Sequence, residues 1–276
     1  MAREIKELPK KVDVARSFDG KHIIEFSETS HRYKLDGKPA CGVTAFIKGG
    51  FPTSQGLISW QKGQALEYLW NAISNRIVDP IEKEGLFKAA KAADRAVSQE
   101  AADIGTLIHE YAFLYETQGD KDKLSATVAQ LPEEPRKKIY NGIEKFKVWR
   151  STVDDRLQSV EQLVASPTHL FCGKFDKLAY RSGKLILSDY KSSKSIYLDM
   201  YIQLGAYAIA IEEWLGLRVE GLEILRFGKE DGEFETLLVD KADEIAEFKK
   251  QAIRCRETYE FQKLNNDPRW KYEGGK

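Results

Sequence analysis

The spacing of hydrophobic residues changes near residue 150 of the 276-residue chain. Before this point, apolar positions recur every three or four residues, a period that indicates helices. Beyond it, three consecutive runs have strand-like alternation, and helices and strands then follow one another. The predicted helices are 55–76, 81–97, 99–117, 135–150, 197–215 and 240–263, and the predicted strands are 157–165, 168–180, 184–191, 219–227 and 233–239.

Two shorter segments complete the outline. Residues 22–37 predict a small hairpin, because Asp36 and Gly37 supply turn chemistry. Thr44 is expected to be the N-cap of a short helix. Residues 118–135 are rich in turn formers and are expected to form a loop that contains a short helix.

The order of elements predicts the fold class. Helices, three strands, a helix, one or two strands and a last helix indicate an α/β or α+β fold with a mostly antiparallel sheet. No linker rich in Gly, Pro and Ser divides the chain, so residues 1–276 are expected to form one domain. Residues 1–150 would supply a hairpin and a helical portion, and residues 151–265 the core sheet and its helices.

The hairpin over residues 173–193, GKFDKLAYRSGKLILSDYKSS, carries the most informative polar residues. If Ser182-Gly183 is a two-residue turn, Asp176 lies directly opposite Asp189, and Lys191 shares a face with Asp189. Opposed side chains lie about 5 Å apart, where like charges repel. A divalent cation bound by the carboxylates is the simplest compensation. The alternative is a surface pair that neighbouring lysines screen.

Three further positions are candidates by their place on these elements. With Ser166-Pro167 as a turn, Glu161 would face Cys172 and share the face of Asp176, although an exposed strand glutamate is an equal alternative. His109 lies on a predicted helix four residues after a glycine and becomes a candidate metal ligand beside a carboxylate pair. Gln203 and Tyr207 share one face of a helix, and the glycine between them, Gly205, would let another backbone approach closely.

Charge and cysteine content exclude some function classes. Lys plus Arg and Asp plus Glu are both 43, so a uniformly basic coat for nucleic acid is excluded. Residues 171–197 and 136–150 are nevertheless locally basic, and either segment alone would indicate an ordinary solvated face. Basic residues gathered around a carboxylate pair favour a phosphate-bearing partner instead. The three cysteines lack CxxC spacing, which argues against zinc or an iron–sulfur cluster and fits a reducing cytoplasm. No secretory signal is recognised, and no apolar run approaches the roughly 18 residues of a membrane span.

Four short motifs in this order resemble the RecB-type branch of the PD-(D/E)XK nuclease superfamily. The residues that carry the resemblance are GTLIH at 105–109, GKFD at 173–176, DYK at 189–191 and QLGAY at 203–207. Each motif is weak alone, but their order around one hairpin is specific. Residues 31–47 also look like the entry segment of phage-type exonucleases and of the mitochondrial genome-maintenance exonuclease.

The resemblance implies a restriction-endonuclease-like mixed sheet flanked by helices, with an added N-terminal helical portion. It also implies hydrolysis of DNA phosphodiesters with Mg²⁺ or Mn²⁺. The implied metal ligands are His109, Asp176, Asp189 and the Tyr190 carbonyl; Lys191, Asp176, Asp189 and Glu161 are the catalytic candidates; Gln203, Tyr207, Lys174, Ser192 and Lys194 are the candidates for DNA binding, with Gln203 and Tyr207 positioning either DNA or the lysine.

The leading hypothesis is a DNA exonuclease of recombination, repair or phage DNA metabolism in a bacterial or phage-infected cytoplasm. The alternatives are a structure-specific or RNA-processing endonuclease on the same core and a non-catalytic DNA-binding module. Because no Walker A motif is present, coupling to a motor would need a helicase or recombinase partner. Trp60 and Trp70 are expected to pack in a helical core, with stacking on single-stranded bases as the alternative.

Overall fold

The structure, a computed structural model, describes residues 12–52, 55–74, 79–119, 122–228 and 233–263. Its strands are β1 Val12–Arg16, β2 Ile23–Ser27, β3 Arg32–Leu35, β4 Lys38–Gly42, β5 Asp155–Ser166, β6 Phe171–Arg181, β7 Lys184–Lys191, β8 Gly221–Phe227 and β9 Phe234–Val239. Its helices are α1 Val43–Gly50, α2 Gln55–Ile73, α3 Pro80–Glu116, α4 Asp122–Ala129, α5 Glu133–Thr152, α6 Leu198–Leu215 and α7 Ala242–Lys263.

The predicted mixed α/β class is confirmed. The strands form one sheet in the order β1-β2-β3-β4-β6-β7-β8-β9, with β5 paired to the other edge of β6. Most pairs are antiparallel, and the parallel pairs in the described residues are β4 with β6 and β7 with β8. Helix α6 makes the crossover between β7 and β8 that a parallel pair requires.

Three local predictions differ from the structure. Helices 81–97 and 99–117 are one continuous helix, α3, because no Gly or Pro breaks the chain between them. The predicted 22–37 hairpin is part of a four-stranded meander, β1–β4. The N-cap of α1 is Gly42, so Thr44 lies inside the first turn instead of capping it.

The β6–β7 hairpin has the predicted register. Ser182 and Gly183 both have positive φ angles, 51° and 82°. These values suit a tight two-residue turn whose twist matches the strands. Pairing runs from Arg181 opposite Lys184 to Lys177 opposite Ser188. Beyond that point, the Asp176 carboxylate accepts a hydrogen bond from the Tyr190 N–H at 2.7 Å. This side-chain bond takes the place of the backbone hydrogen bond that would continue the ladder.

The β5–β6 register was predicted wrongly. Ser166 remains in the strand and faces Phe171, which leaves a four-residue loop over 167–170 where a two-residue turn was expected. Cys172 therefore faces Ala165, and Glu161 does not face Cys172. Since Val160 pairs with Lys177 and Gln162 with Phe175, Glu161 falls opposite Asp176.

The sheet divides at β6, and this division shapes the site. Strand β4 pairs with β6 only at Phe171 and Cys172. Strand β7 joins the same edge of β6 from Lys177 onward, because β5 occupies the opposite edge throughout. Residues 173–176 thus lie in a fork between two diverging neighbours. A fork leaves room for side chains between the strands, where a closed ladder would exclude them.

Separate apolar cores cover the two faces of the sheet. On one face, Leu185 and Leu187 of β7 pack with α6 residues such as Trp214. On the other face, Tyr190 packs with Ile108 of α3 and Phe146 of α5. Helix α3 is therefore fixed to the sheet at the height of the fork. None of the helices in the described ranges combines the length and hydrophobicity needed to cross a membrane.

Candidate active site

Five polar side chains meet at the fork, and we call them the site: His109 of α3, Glu161 of β5, Asp176 of β6, and Asp189 and Lys191 of β7. One nitrogen or oxygen atom from each of His109, Glu161 and Asp176 lies within 4.8 Å of the others. His109 Nδ1 is 3.6 Å from Asp176 Oδ2. The fold thus brings residues 67 positions apart in sequence into one cluster of metal-ligand type.

The two aspartates have different electrostatic environments. Burial, together with the charge of Asp176, raises the pKa of Asp189 to about 6 although Lys191 opposes the shift. Burial also opposes ionisation of Asp176, but His109, Lys191 and the Tyr190 N–H outweigh it and lower its pKa. Without metal, Asp176 is the ionised partner and Asp189 retains a proton more readily. A bound cation would displace that proton.

Glu161 has a strained backbone within a strand. Its φ is 48°, in the left-handed region that non-glycine residues rarely adopt. A register shift lies just before it, between Leu157 and Ser159. Bulges and strained residues near active sites re-aim side chains. Here the result is a carboxylate that reaches both the site and Lys174, whose Nζ is 2.7 Å away.

Lys191 is a half-buried cation, with 21% of its side chain exposed. Its ammonium contacts the Asp189 carboxylate. It also lies 3.4 Å from Gln203 Oε1. Burial opposes protonation, but Asp189 and Asp176 outweigh it and raise the pKa of Lys191. A lysine that stays charged cannot accept a proton, so its chemistry in this state is electrostatic.

Glycines in the motifs make room for functional side chains. A Cβ on Gly105 would lie 2.9 Å from Ser192 Oγ, and one on Gly173 would lie 2.5 Å from the Tyr207 ring. Tyr207 is buried, and burial raises its pKa. Its burial favours the interpretation in which Gln203 and Tyr207 position Lys191. Gly205 lies against the α7 backbone at Phe248, as its predicted close approach requires.

The remaining candidates for DNA binding lie on β6 and in the segment that follows β7. Lys174 is partly exposed beside Glu161, Ser192 follows the β7 motif next to α3, and Lys194 is exposed. Trp60 and Trp70 are 39% and 71% exposed on α2. The expectation that these tryptophans pack in a helical core was wrong.

Part of the predicted basic surface is internal. Lys177, Arg181 and Arg150 do not simply face solvent but pair with carboxylates on the α3 and α5 side of β6. We call this group the ion cluster, and its members are Glu116, Arg150, Asp155, Lys177, Arg181 and Glu223. The sequence did not reveal this cluster, because the paired residues are 22 to 61 positions apart and lie on different elements.

Comparison with known proteins places this geometry in a family. A profile of the PD-(D/E)XK nuclease superfamily matches residues 83–272, which is more than half of the chain. The chain belongs to the PD-(D/E)XK nuclease superfamily. It is accordingly a hydrolytic nuclease that depends on a divalent metal, and the cluster of His109, Glu161 and Asp176 supplies suitable donor atoms.

Other comparisons are more distant. No curated protein sequence matches the chain. Among solved structures, a protein of Eubacterium rectale with a provisional exonuclease assignment aligns with a TM-score of 0.39 and 12% identity, over 58% of this chain and 68% of its own. The protein SSO0001 aligns with a TM-score of 0.30 and 14% identity, over 78% of this chain and 90% of its own. Function is therefore inferred from the family and the site.

Proposed function

We propose that this protein is an exonuclease of the RecB-type branch that hydrolyses DNA from a free end with Mg²⁺ or Mn²⁺. The observation that carries the proposal is the meeting of one imidazole, three carboxylates and a charged lysine at the fork in the sheet. Carboxylates are the ligands of Mg²⁺ and Mn²⁺, and the imidazole adds a donor that Mn²⁺ accepts more readily.

The proposed metal ligands are His109, Asp176 and Asp189, with the Tyr190 carbonyl as a backbone donor and Glu161 as an added carboxylate. The donor set fits a hard divalent cation because oxygens outnumber nitrogen. When bound, such a cation polarises a phosphoryl oxygen and lowers the pKa of its water. The chain's own contribution is to hold these donors in a half-buried fork.

Lys191 is proposed to stabilise negative charge that develops on the phosphate. Its ammonium is already fixed by Asp189 and Gln203, so it needs little reorganisation during the reaction. Gln203 and the buried Tyr207 would hold the lysine in this orientation. Lys174, Ser192 and Lys194 are proposed to contact the DNA backbone around the scissile phosphate.

The preference for a free end is proposed from the long helix that carries His109. Helix α3 has 37 residues. That is about 55 Å at 1.5 Å per residue. His109 lies in its last third, so most of α3 continues beyond the site together with α2. Trp60 and Trp70 are exposed on this helical pair and could stack on single-stranded bases that approach the fork.

A comparison of linear and circular DNA tests the proposal. Purified protein with Mn²⁺ should degrade an end-labelled linear single strand to short products and leave the covalently closed circle of the same sequence intact. Lys191→Ala should degrade neither, which excludes a contaminating nuclease. Equal initial rates on circle and linear strand would instead favour the endonuclease alternative. A matched RNA strand tests the choice of nucleic acid.

A further inference from the structure

The ion cluster lies directly behind the site, on the other side of β6. Asp176 points towards the site, whereas the next residue, Lys177, points into the cluster. Lys177 Nζ lies 2.8 Å from Glu116 and 2.7 Å from Asp155. Arg181 completes the cluster, 2.6 Å from Asp155 and 2.6 Å from Glu223. With three acids and three bases, it is balanced in charge.

Glu116 is the cluster member that belongs to α3, the helix of His109. Its side chain is fully buried, as is that of Lys177. Besides Lys177, it accepts a bifurcated hydrogen bond from the single Nε–H of Arg150 in α5, whose nitrogen lies 3.0 and 2.9 Å from the two carboxylate oxygens. The carboxylate is thus held from two elements. Any rotation or sliding of α3 would leave a buried charge without its partners, which is strongly unfavourable.

The spacing along α3 connects this anchor to the site. His109 precedes Glu116 by seven residues, which is two turns and about 10.5 Å of rise, so both lie on nearly the same side of the helix. Tyr190 fills the space between them. Its ring packs edge-on against His109 with centroids 5.8 Å apart, and the Glu116 charge helps to raise its pKa after the larger effect of burial.

We propose that Glu116, held by Lys177 and Arg150, is a positioning residue that fixes the rotation of α3 and thereby places the His109 imidazole at the metal site. This inference rests on the proposed function of the site. A 20° rotation of α3 would move an imidazole roughly 6 Å from the helix axis by about 2 Å, whereas metal sites require placement within about 0.5 Å. Apolar packing alone would restrict this rotation less, because apolar contacts lack the directional geometry of hydrogen bonds.

Glu223→Gln is the matched control for Glu116→Gln. Both changes neutralise a buried carboxylate of the same cluster, but Glu223 lies on β8 and bonds Arg181 and Ser188, and none of its bonds among the described side chains reaches α3. Both variants should lower the melting temperature. Only Glu116→Gln should weaken Mn²⁺ binding by calorimetry, by about 10-fold or more, as loss of a residue that orients a metal ligand does.

A double-mutant cycle shows whether the effect passes through His109. In a His109→Ala background, Glu116→Gln should change Mn²⁺ affinity less than about 2-fold, because the ligand it positions is gone. An equal loss of affinity in both backgrounds would overturn the proposal and leave Glu116 with a purely stabilising role. So would an equal loss in Glu223→Gln.

Metal-free protein provides a readout that is independent of catalysis. The imidazole ¹⁵N resonances of His109 should shift in Glu116→Gln and stay in place in Glu223→Gln; unchanged resonances in both would also contradict the proposal. If Glu116→Gln does not fold, Arg150→Gln removes one of its partners and carries the same predictions. These measurements need no turnover, so their failure is distinct from failure of the nuclease proposal, which Lys191→Ala tests.

Discussion

The site and the ion cluster are two neighbouring groups of charges to which β6 contributes alternate side chains, and they differ in how completely their charges are paired. The cluster pairs three acids with three bases, and every member has an opposite charge within 3.0 Å. The site contains three carboxylates, and the pKa of one of them is raised to about 6. A buried group whose charges pair with one another is structural, whereas a cluster of metal-ligand type with a perturbed carboxylate and a strained backbone suits a functional site.

The largest expected effect is on catalysis at Asp189. Asp189→Asn should lower the rate of DNA cleavage by about three orders of magnitude, since it removes a proposed ligand and the partner of Lys191. Metal-free stability should be equal or higher, because an ionised buried carboxylate is lost. Asp243→Asn, at an exposed position of α7, is the control and should retain full activity. Steady-state cleavage assays measure the predicted loss of activity, and thermal melts measure the predicted stability.

A substitution in the ion cluster should lower the stability of the protein, whereas Asp189→Asn lowers its activity. Lys177→Met should destabilise the protein by roughly 3–5 kcal/mol, because it leaves Glu116 and Asp155 buried with fewer partners. Lys184→Met removes an exposed lysine paired with Asp240 and should change the free energy of unfolding far less, because solvent screens an exposed ion pair. Urea denaturation measures both. Similar values for the two lysines would mean that the cluster does not restrain the fold.

The pH dependence of metal-free stability should separate the two groups. The raised pKa of Asp189 means that the folded protein binds an extra proton, so stability should fall as pH rises from about 4 through about 6, on the order of 1–3 kcal/mol. Burial opposes ionisation of Asp155, but Arg181 and Lys177 outweigh it and lower its pKa. Its contribution should therefore be lost below pH 4. Asp189→Asn should remove the change in the free energy of unfolding between pH 4 and 6 and keep the change below pH 4. A wild-type free energy of unfolding that rises from pH 4 to 6 would argue against this assignment.

The smallest effect compares two glycines of α3. Gly85 has open space around its Cβ position, so Gly85→Ala should stabilise the helix by about 0.5–1 kcal/mol. Gly105→Ala gains the same propensity but displaces Ser192 next to Lys191, so its stability gain should be smaller and its cleavage rate several-fold lower. If both variants keep wild-type activity, close contact between α3 and the β7 motif is unimportant.

Local rules predicted the part of the site that depends on one tight turn. Ser182 and Gly183 adopt the expected conformation, and the predicted register follows from it as far as Lys177 opposite Ser188, one residue short of the two aspartates. The β5–β6 connection was not predictable in this way. Ser166-Pro167 looked like a turn, but the strand continues through Ser166, so Glu161 moved from Cys172 to Asp176.

Ion pairs between residues that are distant in sequence could not be predicted. Alternation along β6 places Lys177 and Arg181 on the same face as Ala179, which is buried, and this pattern was available in the sequence. Their carboxylate partners come from other elements, so nothing local identifies them. Charge counting therefore treated buried structural cations as a surface for DNA. The basic surface that remains is therefore smaller than the sequence indicated.

The most direct test of the central claim, that the fork is the catalytic centre, uses Lys191→Ala. Calorimetry should show Mn²⁺ bound within a few-fold of wild-type affinity, while cleavage of an end-labelled linear strand falls by at least about 100-fold. This outcome would show that the carboxylates bind the metal without Lys191 and that the charge of Lys191 contributes to catalysis. Wild-type cleavage by Lys191→Ala would contradict the account.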